Sequence, residues 1–427
     1  MPNRQIPMSR DRETPQIRAK DVQGLKYFKV LRPMLDRLHH VGAARDVAQN
    51  RSLHMDQYCT LVLLWLYSPI VDSLRGLQQA STLTKVQKRF GVARTSLGSL
   101  SESVTVFDPE PLKQIAKELG DRLPAVQKRR YSQKDDDATL DRLSHLGKTI
   151  TAVDGSIVKV LARIAKLAWI RIGDGSPTCG YRLHTQFELL KGIPHRIDAT
   201  SANPKGDADE RIVLEKTLES DRIYVMDRGY QKWQLLNGIV SKESSYICRM
   251  RDQFNHQVVS TQELTQADQD AGIISDQTIR IVGKKSRIEH PMRLVIVQGQ
   301  PHVSRGRRSG RKLSSTGPSS DGQIRLVTDM LDVPAELIGK MFELRWLIEL
   351  FFKMFKHLLG CRHLLSTKEN GVEIQVYCAI IACMLILLYT GRSPTKRTFE
   401  MICFYMSGWA SLEELERHIE KLAPERS

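Results

Sequence analysis

Two short, β-branched segments each bring an aspartate to the end of an apolar run. Asp154 lies in TITAVDGSIVKV and Asp227 in DRIYVMDRGY. Both read as strands that end in Gly-containing turn chemistry. An aspartate at the end of an otherwise apolar strand packs poorly, because burying an unpaired carboxylate is costly. A metal ion relieves that cost, and so does a capping or turn role, which would explain either aspartate alone. A third acid lies in MFELRWLIELFFKMFKHLL. Helical spacing puts Arg345 at about 300°, Glu349 at about 340°, Lys353 at about 20° and Lys356 at about 320° from Phe342. One stripe thus carries a carboxylate, three cations and a ring. Leu344, Leu347, Ile348, Leu350, Phe351, Met354, Phe355, Leu358 and Leu359 fill the opposite arc, which the helix should bury. A solvated charged face would leave the same stripe. Strand Asp, strand Asp and helix Glu in this chain order is the arrangement of a two-metal phosphoryl-transfer site. In such a site hard oxygen ligands hold two Mg²⁺ ions about 4 Å apart.

With these residues the chain resembles bacterial insertion-sequence transposases of the IS-four family, a DDE group on a ribonuclease-H-like fold. The family signature Y-x2-R-x3-E-x6-K is met by Phe342, Arg345, Glu349 and Lys356, with Phe in place of Tyr. Asp154-Gly155-Ser156 and Asp227-Arg228-Gly229-Tyr230 also match family motifs, and the resemblance runs from about residue 72 to 390.

The net charge of +16 and pI of about 9.5 suit a polyanionic partner; a ribosome-adjacent protein or one at an anionic membrane would share them. The seven cysteines form no CxxC pair and read as reduced thiols, neither a disulfide frame nor a zinc site. The polar, basic N-terminus carries no signal peptide pattern. Ile374 to Thr390 is uncharged and sits at the short limit for a membrane span, but a buried core helix explains it as well. The expected location is cytoplasmic, in association with the nucleoid.

The expected fold class is α/β: a ribonuclease-H-like catalytic core interrupted by a mostly β insertion, with a helical N-terminal domain. Residues 1–145 form that helical, DNA-binding domain, of which the first 20 are unstructured. Within it KVQKRFGVARTSLGSLSESV reads as a helix-turn-helix with Gly91 at the turn and Arg94 presented to DNA, or as an ordinary helical hairpin. Residues 127–142 read as a charged linker. The core occupies 146–251 and 326–392, with strands at 149–160, 181–190, 193–200, 222–227 and 244–251 and helices at 208–219 and 230–240. Residues 252–325 form the β-rich insertion, with strand character at 278–288, 292–300 and 323–330 and a basic loop at 304–322. Residues 393–427 form a C-terminal helical segment.

The resemblance implies Mg²⁺-dependent cleavage that frees a 3′-hydroxyl, then attack of that hydroxyl on target DNA. Asp154, Asp227 and Glu349 would ligate two Mg²⁺ ions, with Mn²⁺ able to substitute. The partners implied are double-stranded DNA, as element terminal repeats and as target, and a second copy of the chain in the DNA complex. Arg345 and Lys356 would bind phosphates, and Phe342 would sit with them. Trp346 and Trp233 could each stack on an unpaired base or fill core. Lys353 is as consistent with solvent as with function. His184 and His195 read as structural, and Asp198, Asp207 and Asp209 as caps or supports. A nuclease without strand transfer, a catalytically silent DNA-binding regulator and a membrane protein built around 374–390 are the other classes open.

Overall fold

The computed structural model describes residues 28–41, 52–68, 71–121, 137–160, 169–171, 177–201, 206–251, 254–282, 288–299, 322–360, 365–366, 368–390, 396–406 and 408–421. The expected unstructured N-terminus and the basic loop up to residue 321 lie outside them. The described helices before the sheet are α1 (Phe28–Asp36), α2 (Met55–Tyr67), α3 (Leu74–Ser81), α4 (Thr84–Phe90), α5 (Leu97–Ser103), α6 (Glu110–Asp121) and α7 (Asp137–Ser144). Then come β1 (Thr149–Val160), β2 (Trp169–Arg171), β3 (Pro177–Glu188), β4 (Ile193–Ser201), α8 (Glu210–Lys216), β5 (Arg222–Met226), α9 (Trp233–Ser241) and β6 (Ser245–Arg249). They are followed by β7 (His256–Thr261), α10 (Gln266–Asp270), β8 (Ile273–Ile281), β9 (Met292–Gln298) and β10 (Gln323–Thr328). The last elements are α11 (Ala335–Leu344), α12 (Trp346–Gly360), α13 (Glu369–Thr390), α14 (Lys396–Met406) and α15 (Leu412–Lys421).

All ten described strands join one sheet in the order β2-β3-β1-β5-β6-β10-β9-β8-β7, with β4 also on the outer edge of β3. β1, β5 and β6 run parallel, and β5 reaches β6 through α9 in a βαβ crossover. Side chains alternate between two covered faces. Ala152, Val225 and Ile247 pack with Met341, Leu344 and Ile348 of α11 and α12. Val153, Tyr224 and Tyr246 pack with Leu214 of α8 and Leu235 of α9. Each buried Val, Leu, Ile or Met among them contributes roughly 1.5–3 kcal/mol. The strands after β6 do not form a separate sheet: they prolong the same one, and β10 runs across residue 325. Buried Arg293 on β9 pairs with Asp276 on β8 at 2.6 Å and donates to the Met330 and Leu331 carbonyls at 3.1 Å. That tie fixes the lead into α11.

Two expectations need correction. Asp137–Ser144 is a helix, not linker, because Leu140 and Leu143 reach the α11–α12 core; residues 127–136 lie outside the described residues. The hairpin at residues 84–103 turns at Gly91 (φ 66°), but Arg94 sits exposed in the connecting stretch, before α5 begins. The apolar run forms α13, whose 370–387 window is 89% buried. α13 packs against α2, α6, α12 and β4, so protein encloses it. Cys59, Cys248, Cys378, Cys383 and Cys403 are buried and stand outside any disulfide.

Candidate active site

The parallel pairing of β1 and β5 ends at Val153 opposite Met226, so Asp154 and Asp227 follow that pair side by side. Parallel neighbours lie ~4.8 Å apart. Asp154 is not at a strand end as expected: β1 continues to Val160 against β3, and it is β5 that stops. By the alternation along β1, Asp154 leaves the sheet on the face that carries Ala152, the face covered by α12.

The acidic segment is not one continuous helix. It breaks at Arg345, whose amide donates to the Phe342 carbonyl at 3.2 Å and whose carbonyl accepts from Ile348 at 3.1 Å. These i→i+3 bonds tighten the chain for one turn. The apolar arc is buried at Leu344, Ile348 and Phe355, but Leu350 is 47% exposed because it flanks the stripe. Arg345 points inward and bridges two acids. Nη2 is 2.9 Å from Glu349 Oε1 and Nη1 is 3.9 Å from Asp154 Oδ2. Its guanidinium also lies 5.6 Å from the centre of the Phe342 ring. Asp227 joins by strand register, and its own ion partner is Arg249 of β6, at 3.7 Å.

Burial pushes the Asp154 carboxyl up to about 6; Arg345 and the Gly155 amide pull it down, while Glu210 and Glu349 push it further up. Asp227 Oδ1 is buried and accepts no hydrogen bond. Among the described residues, no three His, Cys, Asp or Glu side chains are gathered closely enough to coordinate one ion as they stand. The donor set still fits a hard divalent cation: carboxylates alone, one with an unsatisfied buried oxygen, another costly to ionise in its surroundings.

The other expected positions divide. Phe342 is half-buried against the α11–α12 core. Lys356 lies in α12, its side chain outside the description; Lys353 is exposed. Trp346, next in sequence to Arg345, is 58% exposed, whereas Trp233 is half-buried and packs partly against the α8–α9 core. His184 is buried, hydrogen-bonded to Thr200 Oγ1 at 2.8 Å, and lowered to about 4 by burial and Arg182. His195 sits at the opposite ends of the strands, 3.0 Å from Glu219 and 3.4 Å from Glu188. Asp209 caps α8 through the Arg211 amide, Asp198 pairs with Arg196, and exposed Asp207 with Lys216.

Four residues absent from the sequence-derived set border the site. Arg249 faces Asp227. Glu210, at the start of α8, pairs with Arg182 of β3. Its carboxylate fills the space a Cβ at Gly155 would need. The buried Tyr230 hydroxyl lies against Glu210, and burial with nearby Glu210 and Asp154 drives its pKa well up. Only Tyr230 had a sequence signal, as the last residue of Asp227-Arg228-Gly229-Tyr230. An acid opening a helix reads as a complement to the helix dipole.

The family model described as the transposase DDE domain matches residues 145–385. The y4zB protein of Sinorhizobium fredii, whose name describes a transposase, is 26% identical over 210 residues, 48% of this chain and 52% of that one. A Geobacillus stearothermophilus protein named as a transposase for insertion sequence element IS5377 is 27% identical over 240 residues, 55% of this chain and 57% of its own. The transposase for insertion sequence element IS421 of Escherichia coli is 23% identical over 262 residues, 56% and 65% respectively. The chain therefore spans between about half and two thirds of these relatives.

Proposed function

This chain belongs to the transposase DDE domain family, and on that premise we propose that it is a DNA transposase of the bacterial insertion-sequence kind, cutting element ends and joining them to target DNA. The observation that carries the reading is the in-register exit of Asp154 and Asp227 from β1 and β5, with Arg345 linking Asp154 to Glu349 across the same face. The strand order β4-β3-β1-β5-β6, with only β1, β5 and β6 parallel, supports a ribonuclease-H-like core. On this reading 146–251 and 326–392 make that core, 252–325 is the insertion, 1–145 binds DNA and 393–427 is an added helical segment.

Asp154, Asp227 and Glu349 would hold two Mg²⁺ ions, or Mn²⁺ in their place. When bound, such ions activate the attacking oxygen and neutralise charge on the leaving oxygen. Arg345 offsets part of the charge on Asp154 and Glu349 in the free protein and is placed to fork onto a phosphate once those acids have another partner. Exposed Trp346 offers a ring to an unstacked base beside them. The basic surplus of the chain supplies sequence-independent attraction to DNA, and two copies would be needed to hold two element ends.

The test uses linear DNA carrying the inverted repeats that flank the reading frame, with Mg²⁺. The expected products are 3′-hydroxyl ends at the repeat tips and joined target molecules. Cleavage without joining would make the protein a nuclease. Absence of both would overturn the reading.

A further inference from the structure

The Asp154-Gly155 pair has a second layer behind it. Gly155 shares a face with Val153, the side of the sheet covered by α8 and α9. There the first residue of α8, Glu210, lies directly against the Gly155 backbone, in the volume a side chain at 155 would occupy. Arg182 anchors that carboxylate from β3, where it sits opposite Ile157 of β1. The pair is largely enclosed, with side chains 17% and 24% exposed. Tyr230, which ends the turn after Asp227, is 2% exposed, and its hydroxyl lies against Glu210 and in the field of Asp154. Three segments thus meet at one carboxylate: β1 just after Asp154, β3 through Arg182, and the turn just after Asp227.

We infer that Glu210 is a positioning residue for the acidic site. Clamped by Arg182, it backs the Asp154-Gly155 peptide and holds it at a fixed spacing from the Asp227 turn. Glycine at 155 is then a requirement of space: its φ lies outside the left-handed region, and no strain favours it. The effect on Asp154 is indirect. Without Glu210 the peptide behind Asp154 has no backing, and Arg182 loses the acceptor that holds it across the strands. The inference rests on the proposal that Asp154, Asp227 and Glu349 hold divalent metal.

The experiment measures Mn²⁺ binding to the full chain by the loss of the free-ion electron paramagnetic resonance signal, with thermal melts to check folding. Asp154→Ala is the control and should remove the site. Loss of an outer partner of a metal ligand typically weakens affinity by about 10–100-fold. Glu210→Ala should therefore bind Mn²⁺ at least about 10-fold more weakly, whereas Glu210→Gln, which can still accept from Arg182, should stay within about threefold of the parent. Gly155→Ala should match Glu210→Ala, because it displaces the carboxylate, and the double variant should be no worse than either alone. Gly155→Ala carries the same test if Ala at 210 does not fold. Unchanged affinity in Glu210→Ala, or multiplying effects of the two substitutions, would overturn the inference. Equal losses in the Gln and Ala variants would make Glu210 itself a ligand and overturn the positioning role. If Asp154→Ala still binds like the parent, the metal-site proposal falls, and this inference with it.

Discussion

Asp154 is ionised at a cost. Its ordinary value of 3.8 rises to about 6 in the fold, chiefly through burial. As pH rises from about 4 the unfolded carboxyl ionises first, so folding stability falls between about pH 4 and 6 and stays reduced above. The shift corresponds to roughly 3 kcal/mol at most. Asp154→Asn should accordingly raise the melting midpoint at pH 7.5 in the presence of a chelator, and the gain should shrink toward zero at pH 4. A gain that persists at pH 4 would point to packing instead. Phe342 carries a second prediction. A hydroxyl there would gain a hydrogen bond to a charged acceptor, worth roughly 1–3 kcal/mol. Phe342→Tyr should tighten binding to element-end DNA without altering the melt, and unchanged binding across several salt concentrations would count against it. The aspartates and Glu349 could be proposed from sequence because their motifs are local. Glu210 was not, because its meaning depends on a strand some 55 residues upstream that passes beneath it. That Arg94 precedes α5 and does not lie on it was not legible, because a helix start cannot be fixed to the residue from hydroxyl-rich sequence.

Strands were easier to read than the helix that faces them. β1 matches its expected bounds because its β-branched residues continue past Asp154 and Gly155 to Val160, and the expected strand near 244–251 settles at 245–249. The break at Arg345 has no Pro or Gly to announce it, and the apolar spacing is the same on both sides. The expected helix at 208–219 shrinks to 210–216, preceded by a 3₁₀ turn, because Asp209 is already its cap. Asp209→Ala removes the acceptor for the Arg211 amide at 2.9 Å. It should cost about 1 kcal/mol, seen as a lower urea midpoint at constant slope. No change in the midpoint would mean the cap is replaced by water. Since α8 carries Glu210, the same variant should also loosen Mn²⁺ binding modestly.

At the scale of the molecule, one ten-stranded sheet carries both the paired aspartates and the later strands that deliver the acidic helix. That continuity was not legible, because strand-like segments after residue 252 give no hint of which edge they join. The charge surplus was, and it predicts salt-sensitive DNA binding. Replacing Ser304–Gly322 with a short Gly/Ser link should weaken non-specific binding and flatten its salt slope by about 0.9 for each phosphate that is no longer neutralised. Unfolding on deletion would show instead that the segment is packed. The central claim is that Asp154, Asp227 and Glu349, far apart in the chain, serve one catalytic site. The most direct measurement is Mg²⁺-dependent cleavage of element-end DNA by Asp154→Ala, Asp227→Ala and Glu349→Ala, with DNA binding followed in parallel. All three should lose cleavage while binding stays within a few-fold of the parent, because the cations supply most of the affinity. A folded variant that still cuts would remove that residue from the site, and cutting by all three would contradict the account.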